Sequence, residues 1–197
     1  MAASDKIVVV SGLPRSGTSL MMKMLEAGGI PPLTDHERAA DEDNPKGYFE
    51  FERAKQLKEG DAAWLPEAEG KVVKVITALL THLPRGHQYD VIFMRRHMSE
   101  ILASQKKMLV RRGEDPNKIS DEELSALFEK HLAQVFDWLN VQTNLRYLEI
   151  SYNDLLADPG PHVEKLNQFL GGSLDIEAMR AQIAPDLYRQ RKETLQG

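Results

Sequence analysis

The stretch Gly12-Leu-Pro-Arg-Ser-Gly-Thr-Ser19 gathers two glycines, an arginine and three hydroxyl side chains into eight residues. Its glycine spacing is that of a loop whose backbone N–H groups cradle a phosphate. Thr18, however, stands where a nucleoside triphosphatase carries the lysine that serves the β- and γ-phosphates. What remains is anion binding. A glycine turn at a helix start aims several N–H groups at one point, and the helix dipole adds partial positive charge there. Arg15, inside the loop, replaces the missing cation. A second group of this kind is Arg96 with Ser104: the arginine follows the apolar run Val91–Met94, and the serine comes two helical turns later.

These groups need a scaffold, and the surrounding sequence supplies one. Ile7–Val10 reads as a buried strand before the loop, and Leu20, Met21, Met24 and Leu25 as a helical stripe after it. Gly28-Gly29 ends that helix, and Pro31, Pro32, Asp41–Asp43 and Asn44-Pro45 mark a long irregular connection to about residue 49. A polar helix is predicted over Phe51–Glu59, a strand over Val72–Ile76, a short helical piece to Leu83 and a strand over Val91–Met94. His97–Arg112 reads as a helix stopped by Gly113. Ser120 and Glu123 form a capping-box pattern before a long amphipathic helix with the stripe Leu124, Leu127, Phe128, His131, Val135, Trp138 and Leu139. His131 reads there as a packed histidine. A strand over Leu145–Ile150 and helix from about Pro161 to Ile183 complete the pattern. The alternation predicts an α/β fold, three layers with a central, mostly parallel sheet, as a single domain over residues 1–197. Ligands of such sheets bind at the carboxyl ends of the strands, which puts Arg96 on the same edge as the glycine loop.

Composition narrows the function. With 197 residues, 42% of them hydrophobic and 28% charged, the chain has the make-up of an ordinary globular domain. The absence of cysteine excludes disulfides, thiolate metal ligands and a cysteine nucleophile, and no metal site is expected. Ile7–Val10 is too short for a signal core or a membrane span, so a cytoplasmic protein without a membrane partner is expected. A net charge of −5 gives no general attraction to nucleic acid. A polyanion has to use local clusters: Arg95 with Arg96, Lys106 with Lys107, Arg111 with Arg112, or Arg189, Arg191 and Lys192.

With both motifs in this order, the chain resembles the sulfotransferases that use 3'-phosphoadenosine 5'-phosphosulfate (PAPS), in particular bacterial-type members with a P-loop NTPase-like fold. The resemblance also takes in Asn44-Pro-Lys-Gly-Tyr-Phe-Glu50 and Ser151-Tyr-Asn-Asp-Leu-Leu-Ala-Asp-Pro159. It implies that Pro14, Arg15, Ser16, Gly17, Thr18 and Ser19 cradle the 5'-phosphosulfate, that Arg96 and Ser104 bind the 3'-phosphate, and that Tyr152 lies against the adenine. The implied activity is transfer of a sulfuryl group from PAPS, as co-substrate and without a metal, to a hydroxyl or amine of a small-molecule acceptor. Two features depart from the family. Its Lys-Thr-His arrangement is not reproduced, because Lys74 precedes Thr81-His82-Leu83-Pro84 by seven residues, and the basic C-terminal loop has only Arg189, Arg191 and Lys192 to match it.

In-line transfer of this kind asks the protein for positioning and for charge on the leaving side. Arg15 and the loop N–H groups are expected to stabilise the leaving phosphate, with Thr18 and Ser19 hydrogen-bonded to it. Lys74 is expected to contact the bridging oxygen or the departing sulfuryl group. The acceptor proton needs a base. Glu37 is the first candidate, by resemblance to Golgi-type members of the family; His36, Glu50 and His82 are the others. Two rival readings stand beside this one. A small-molecule kinase with a degenerate loop needs a magnesium-binding acid after a core strand, where Val91–Met94 instead runs into Arg95-Arg96. The other is a nucleotide-binding module without catalysis.

Overall fold

Four strands, β1 (Lys6–Gly12), β2 (Val72–Lys74), β3 (Gln88–Arg95) and β4 (Leu145–Ser151), form one parallel sheet in the order β2-β1-β3-β4. The computed structural model describes residues 6–35 and 49–183. Successive residues of a strand face opposite sides, and here both sides are covered. Ile7, Val9, Val73, Val91 and Phe93 enter one core with Trp64, Leu65, Leu80 and Leu139. Val8, Val10, Ile92, Met94 and Ile150 enter the other with Met21, Met24, Leu25, Val163 and Leu166. Double burial explains why β1 and β3 read as continuous apolar runs.

The helices are α1 (Thr18–Ala27), α2 (Glu52–Lys55), α3 (Thr77–Leu80), α4 (Met98–Arg111), α5 (Asp121–Val141), α6 (Tyr152–Ala157), α7 (Pro159–Phe169) and α8 (Ile176–Arg180). Residues of α1, α6, α7 and α8 pack on one face of the sheet, and residues of α2, α3 and α5 on the other. Three layers result. From β1 the chain steps outward to β2, then crosses back to β3 on the other side of β1. The strand order thus reverses between β1 and β3, and the crevice at their carboxyl ends is the place where such sheets bind ligands.

Several boundaries differ from the sequence reading for local reasons. β2 ends at Lys74: Val75 still donates to the carbonyl of Val10 (3.0 Å), but Ile76 turns outward to open α3. The polar helix over 51–59 is α2 followed by a 3₁₀ turn, Gln56–Glu59, closed by Gly60. The helix expected over 161–183 is split, because the chain turns at Gly171-Gly172 between α7 and α8. The Ser120/Glu123 capping box is present in full. Of the α5 stripe only Val135 and Leu139 are buried, while Leu127 is 56% exposed. Length accounts for this: 21 helical residues span about 31 Å, against about 23 Å for a seven-residue strand, so the N-terminal part of α5 overhangs the sheet.

Candidate active site

The loop leaving β1 is shaped by close approach. Ser16 donates its N–H to the carbonyl of Leu13 (3.1 Å), which folds the chain back on itself. A Cβ on Gly12 would stand 2.4 Å from Ser16 Oγ and 2.9 Å from the Met94 carbonyl oxygen, so only glycine lets the loop cross β3 here. Gly17 opens α1 with φ +100°, and a Cβ there would lie 2.3 Å from Tyr152 Cδ2. Arg15 adopts φ +69°, a left-handed conformation uncommon outside glycine. No acidic residue in the first turn of α1 offsets the positive end of its dipole. The hydroxyls of Ser11 and Ser16 are buried and meet no hydrogen-bond partner among the described residues. Buried polar atoms are nearly always paired, so these two hydroxyls beside one loop stand out among the described residues.

At the end of β3, strand alternation separates the two neighbouring arginines. Arg95 turns to Glu149 (3.1 Å) and lies over Phe136, 5.0 Å from the ring centroid. Arg96 turns to the loop. Its Nη1 donates to the carbonyl of Arg15 (2.9 Å), its Nε donates to Glu100 Oε2 (2.9 Å), and its guanidinium lies 4.7 Å from the centre of the Tyr152 ring. Glu100 is fully buried and also accepts from Asn153 Nδ2 (2.9 Å), while Asn153 Oδ1 accepts from the N–H of His97 (3.1 Å). Along α4, Ser104 Oγ accepts from Arg15 Nε at 2.8 Å. Lys74, at the end of β2, donates from Nζ to Ser19 Oγ at 3.4 Å. Carboxyl ends of three strands therefore converge on the loop.

Most of the residues named from the sequence come together here: Arg15, Ser16, Gly17, Thr18, Ser19, Lys74, Arg96, Ser104 and Tyr152. Pro14 is exposed at the loop's crest. Tyr152 is 5% exposed, held between Arg96 and Gly17. Burial raises the pKa of its hydroxyl, which the charge of Arg96 opposes in part, so the phenol stays protonated at neutral pH. Glu37 and His36, and the basic residues Arg189, Arg191 and Lys192, lie outside the described residues. Glu50 accepts from Thr34 Oγ1 through its backbone carbonyl (2.8 Å), and its carboxylate pairs with Lys55 (3.0 Å). These contacts tie residue 50 to Thr34, before the long connection, and to Lys55 of α2. His82 is exposed on the turn after α3.

Two members of the site went unnoticed in the sequence. Glu100 stands four residues after Arg96 and four before Ser104, the spacing that puts all three on one side of a helix. Asn153 follows Tyr152 directly, but nothing local showed that it would reach across to α4.

A parallel sheet with a glycine loop after its inner strand and a basic cluster at the switch point is the architecture of a nucleotide-binding α/β protein. A sequence profile described as the sulfotransferase family matches residues 48–175, well over half of the chain, and the chain belongs to that family. The match starts after the glycine loop, so Gly12–Ser19 forms no part of it. Among solved structures, the sulfotransferase domain from the Synechococcus PCC 7002 olefin synthase is similar over 100% of this chain and 84% of its own, with 19% identity and a TM-score of 0.56. The sulfotransferase domain from the curacin biosynthetic pathway is similar over 97% of this chain and 95% of its own, with 15% identity and a TM-score of 0.53. Sulfotransferase STF1 from Mycobacterium tuberculosis H37Rv is similar over 98% and 76%, with 16% identity and a TM-score of 0.51. At these identities the likeness is one of fold. No curated protein matches the chain significantly. Among the described residues, no helix is long and apolar enough to cross a membrane.

Proposed function

We propose that this protein moves a sulfuryl group from PAPS to a hydroxyl or amine of a small-molecule acceptor. One observation carries the reading: Arg15 of the glycine loop hydrogen-bonds Ser104 of α4 and, through its carbonyl, Arg96 just after β3, so that the two anion-binding motifs share one crevice.

The residues present suit such a nucleotide. The buried, unpartnered Ser16 hydroxyl and the first-turn N–H groups of α1 offer donors to a 5'-phosphate, with the Thr18 and Ser19 hydroxyls beside them. Arg15, in the loop, and Lys74, which reaches Ser19, are assigned the leaving-group side, where charge grows as the sulfur–oxygen bond breaks. Arg96 and Ser104 are assigned the 3'-phosphate. Tyr152 supports the loop and Arg96; with its ring this enclosed, it would meet the nucleotide through its rim rather than a face. As the acceptor oxygen or nitrogen attacks sulfur, the bond from sulfur to the bridging oxygen breaks and the electron pair leaves on the phosphate.

The test is ligand-induced stabilisation. Adenosine 3',5'-bisphosphate without magnesium should raise the melting temperature of the purified protein, and ATP with magnesium should not. A response to ATP with magnesium alone would replace this reading by the kinase; tight bisphosphate binding with no transfer from labelled PAPS to a panel of phenols, alcohols, amines and sugars would replace it by the non-catalytic module.

A further inference from the structure

A guanidinium recognises a phosphate through a planar fork of N–H groups, so the reading of Arg96 as the 3'-phosphate ligand, on which this inference rests, asks what fixes its plane. Two consecutive residues at the start of α6 take part. Tyr152 sets its ring against the guanidinium, 4.7 Å from the ring centre. Asn153, 7% exposed, reaches the turn between β3 and α4.

There its amide makes two bonds of opposite sense. Oδ1 accepts from the N–H of His97 at 3.1 Å, and Nδ2 donates to Glu100 Oε1 at 2.9 Å. Chemistry forces this orientation. A backbone N–H only donates and an ionised carboxylate only accepts, so the amide oxygen has to face His97 and the nitrogen Glu100. The other carboxylate oxygen, Oε2, accepts from Arg96 Nε at 2.9 Å. His97 Nδ1 also lies 3.5 Å from Oε1, but that side chain is 52% exposed, so the closer, buried amide is the firmer partner of this oxygen.

A carboxylate gripped at one oxygen can swing, and the arginine it holds swings with it. Gripped at both, Glu100 presents Arg96 in one orientation, with Arg96 Nη1 on the carbonyl of Arg15. An amide is the side chain that suits both partners of residue 153. An aspartate there would keep the bond from His97, lose the one to Glu100 and set a second negative charge beside a fully buried one.

We propose that Asn153 is a positioning residue for recognition of the donor's 3'-phosphate: by bridging His97 and Glu100 it fixes the carboxylate that orients Arg96. It acts through those side chains and touches no part of the nucleotide.

Calorimetric titration with adenosine 3',5'-bisphosphate and with adenosine 5'-monophosphate isolates this effect, because the two ligands differ in the 3'-phosphate alone. The variants are Asn153→Asp, Asn153→Ala and, as a control, Ser151→Ala. The control removes the cap that Ser151 Oγ gives the N–H of Asp154 (3.2 Å), which loosens the start of α6 without removing a partner of Glu100. Both Asn153 variants should bind the bisphosphate about 10-fold more weakly and the monophosphate within about twofold of wild type. Ser151→Ala should lose stability and keep the wild-type ratio of the two affinities. In the wild type itself, where no substitution can upset folding, the bisphosphate should move the side-chain amide resonances of Asn153 and the monophosphate should not. An affinity ratio within about twofold of wild type in a folded Asn153 variant, a ratio that Ser151→Ala lowers as much, or amide resonances that the bisphosphate leaves in place would overturn the assignment. A wild type that binds both ligands equally would instead overturn the placing of the 3'-phosphate at Arg96, and with it the sulfotransferase reading itself.

Discussion

Arg15 Nε and Ser104 Oγ lie 2.8 Å apart although 89 residues separate them in the chain. The contact joins the loop after β1 to the middle of α4, so the guanidinium is held by the same hydroxyl that is assigned the nucleotide's 3'-phosphate. Arg15→Ala should lower kcat about 100-fold or more by removing charge from the leaving side. Ser104→Ala should cost about 1 kcal/mol of stability and weaken donor binding at least fivefold. Steady-state kinetics and bisphosphate titration measure both; equal and negligible effects would show that the crevice does not bind the donor.

Glu100 is the counter-charge that lets Arg96 be buried, the two side chains being 0% and 8% exposed. Removing one member of such a pair leaves an uncompensated charge in the interior. Glu100→Gln is therefore expected to destabilise the fold by about 3 kcal/mol, and Arg96→Ala by a similar amount. Urea unfolding measures this, and it matters for interpretation: Arg96→Lys, which keeps a cation, separates donor binding from folding where Arg96→Ala does not.

Gly17 cannot carry a side chain without moving Tyr152. Gly17→Ala adds left-handed strain to a collision with the aromatic ring, for a total of about 3 kcal/mol. The double variant Gly17→Ala with Tyr152→Ala removes the collision but not the strain. It should lose less stability than the two single changes added together, and strict additivity in denaturant melts would contradict the contact.

His131 also predicts a pH dependence of stability. Its folded pKa lies below the ordinary value of 6.5 because burial disfavours the charged ring. Below that value the unfolded chain binds more protons than the folded one, so stability falls as pH drops and its contribution is complete above the ordinary value. His131→Gln should flatten this part of the profile in urea melts between pH 5 and 7. An unchanged slope would show that the ring is not buried in solution.

The sequence by itself determined the strand-loop-helix around Gly12–Ser19, the strand that delivers Arg96, the helix that carries Ser104 and the capping box of α5, because each follows from local periodicity and turn chemistry. Glu100 stands at the spacing that sets it beside Arg96, but its pairing and burial were decided by the fold. What only the tertiary structure decided were the relations between distant segments: the strand order that sets β1 beside β3, the Arg15 to Ser104 contact, and the Tyr152 ring that forbids a Cβ on Gly17. Period and propensity act over a few residues, whereas these contacts depend on how helices of one length pack against strands of another.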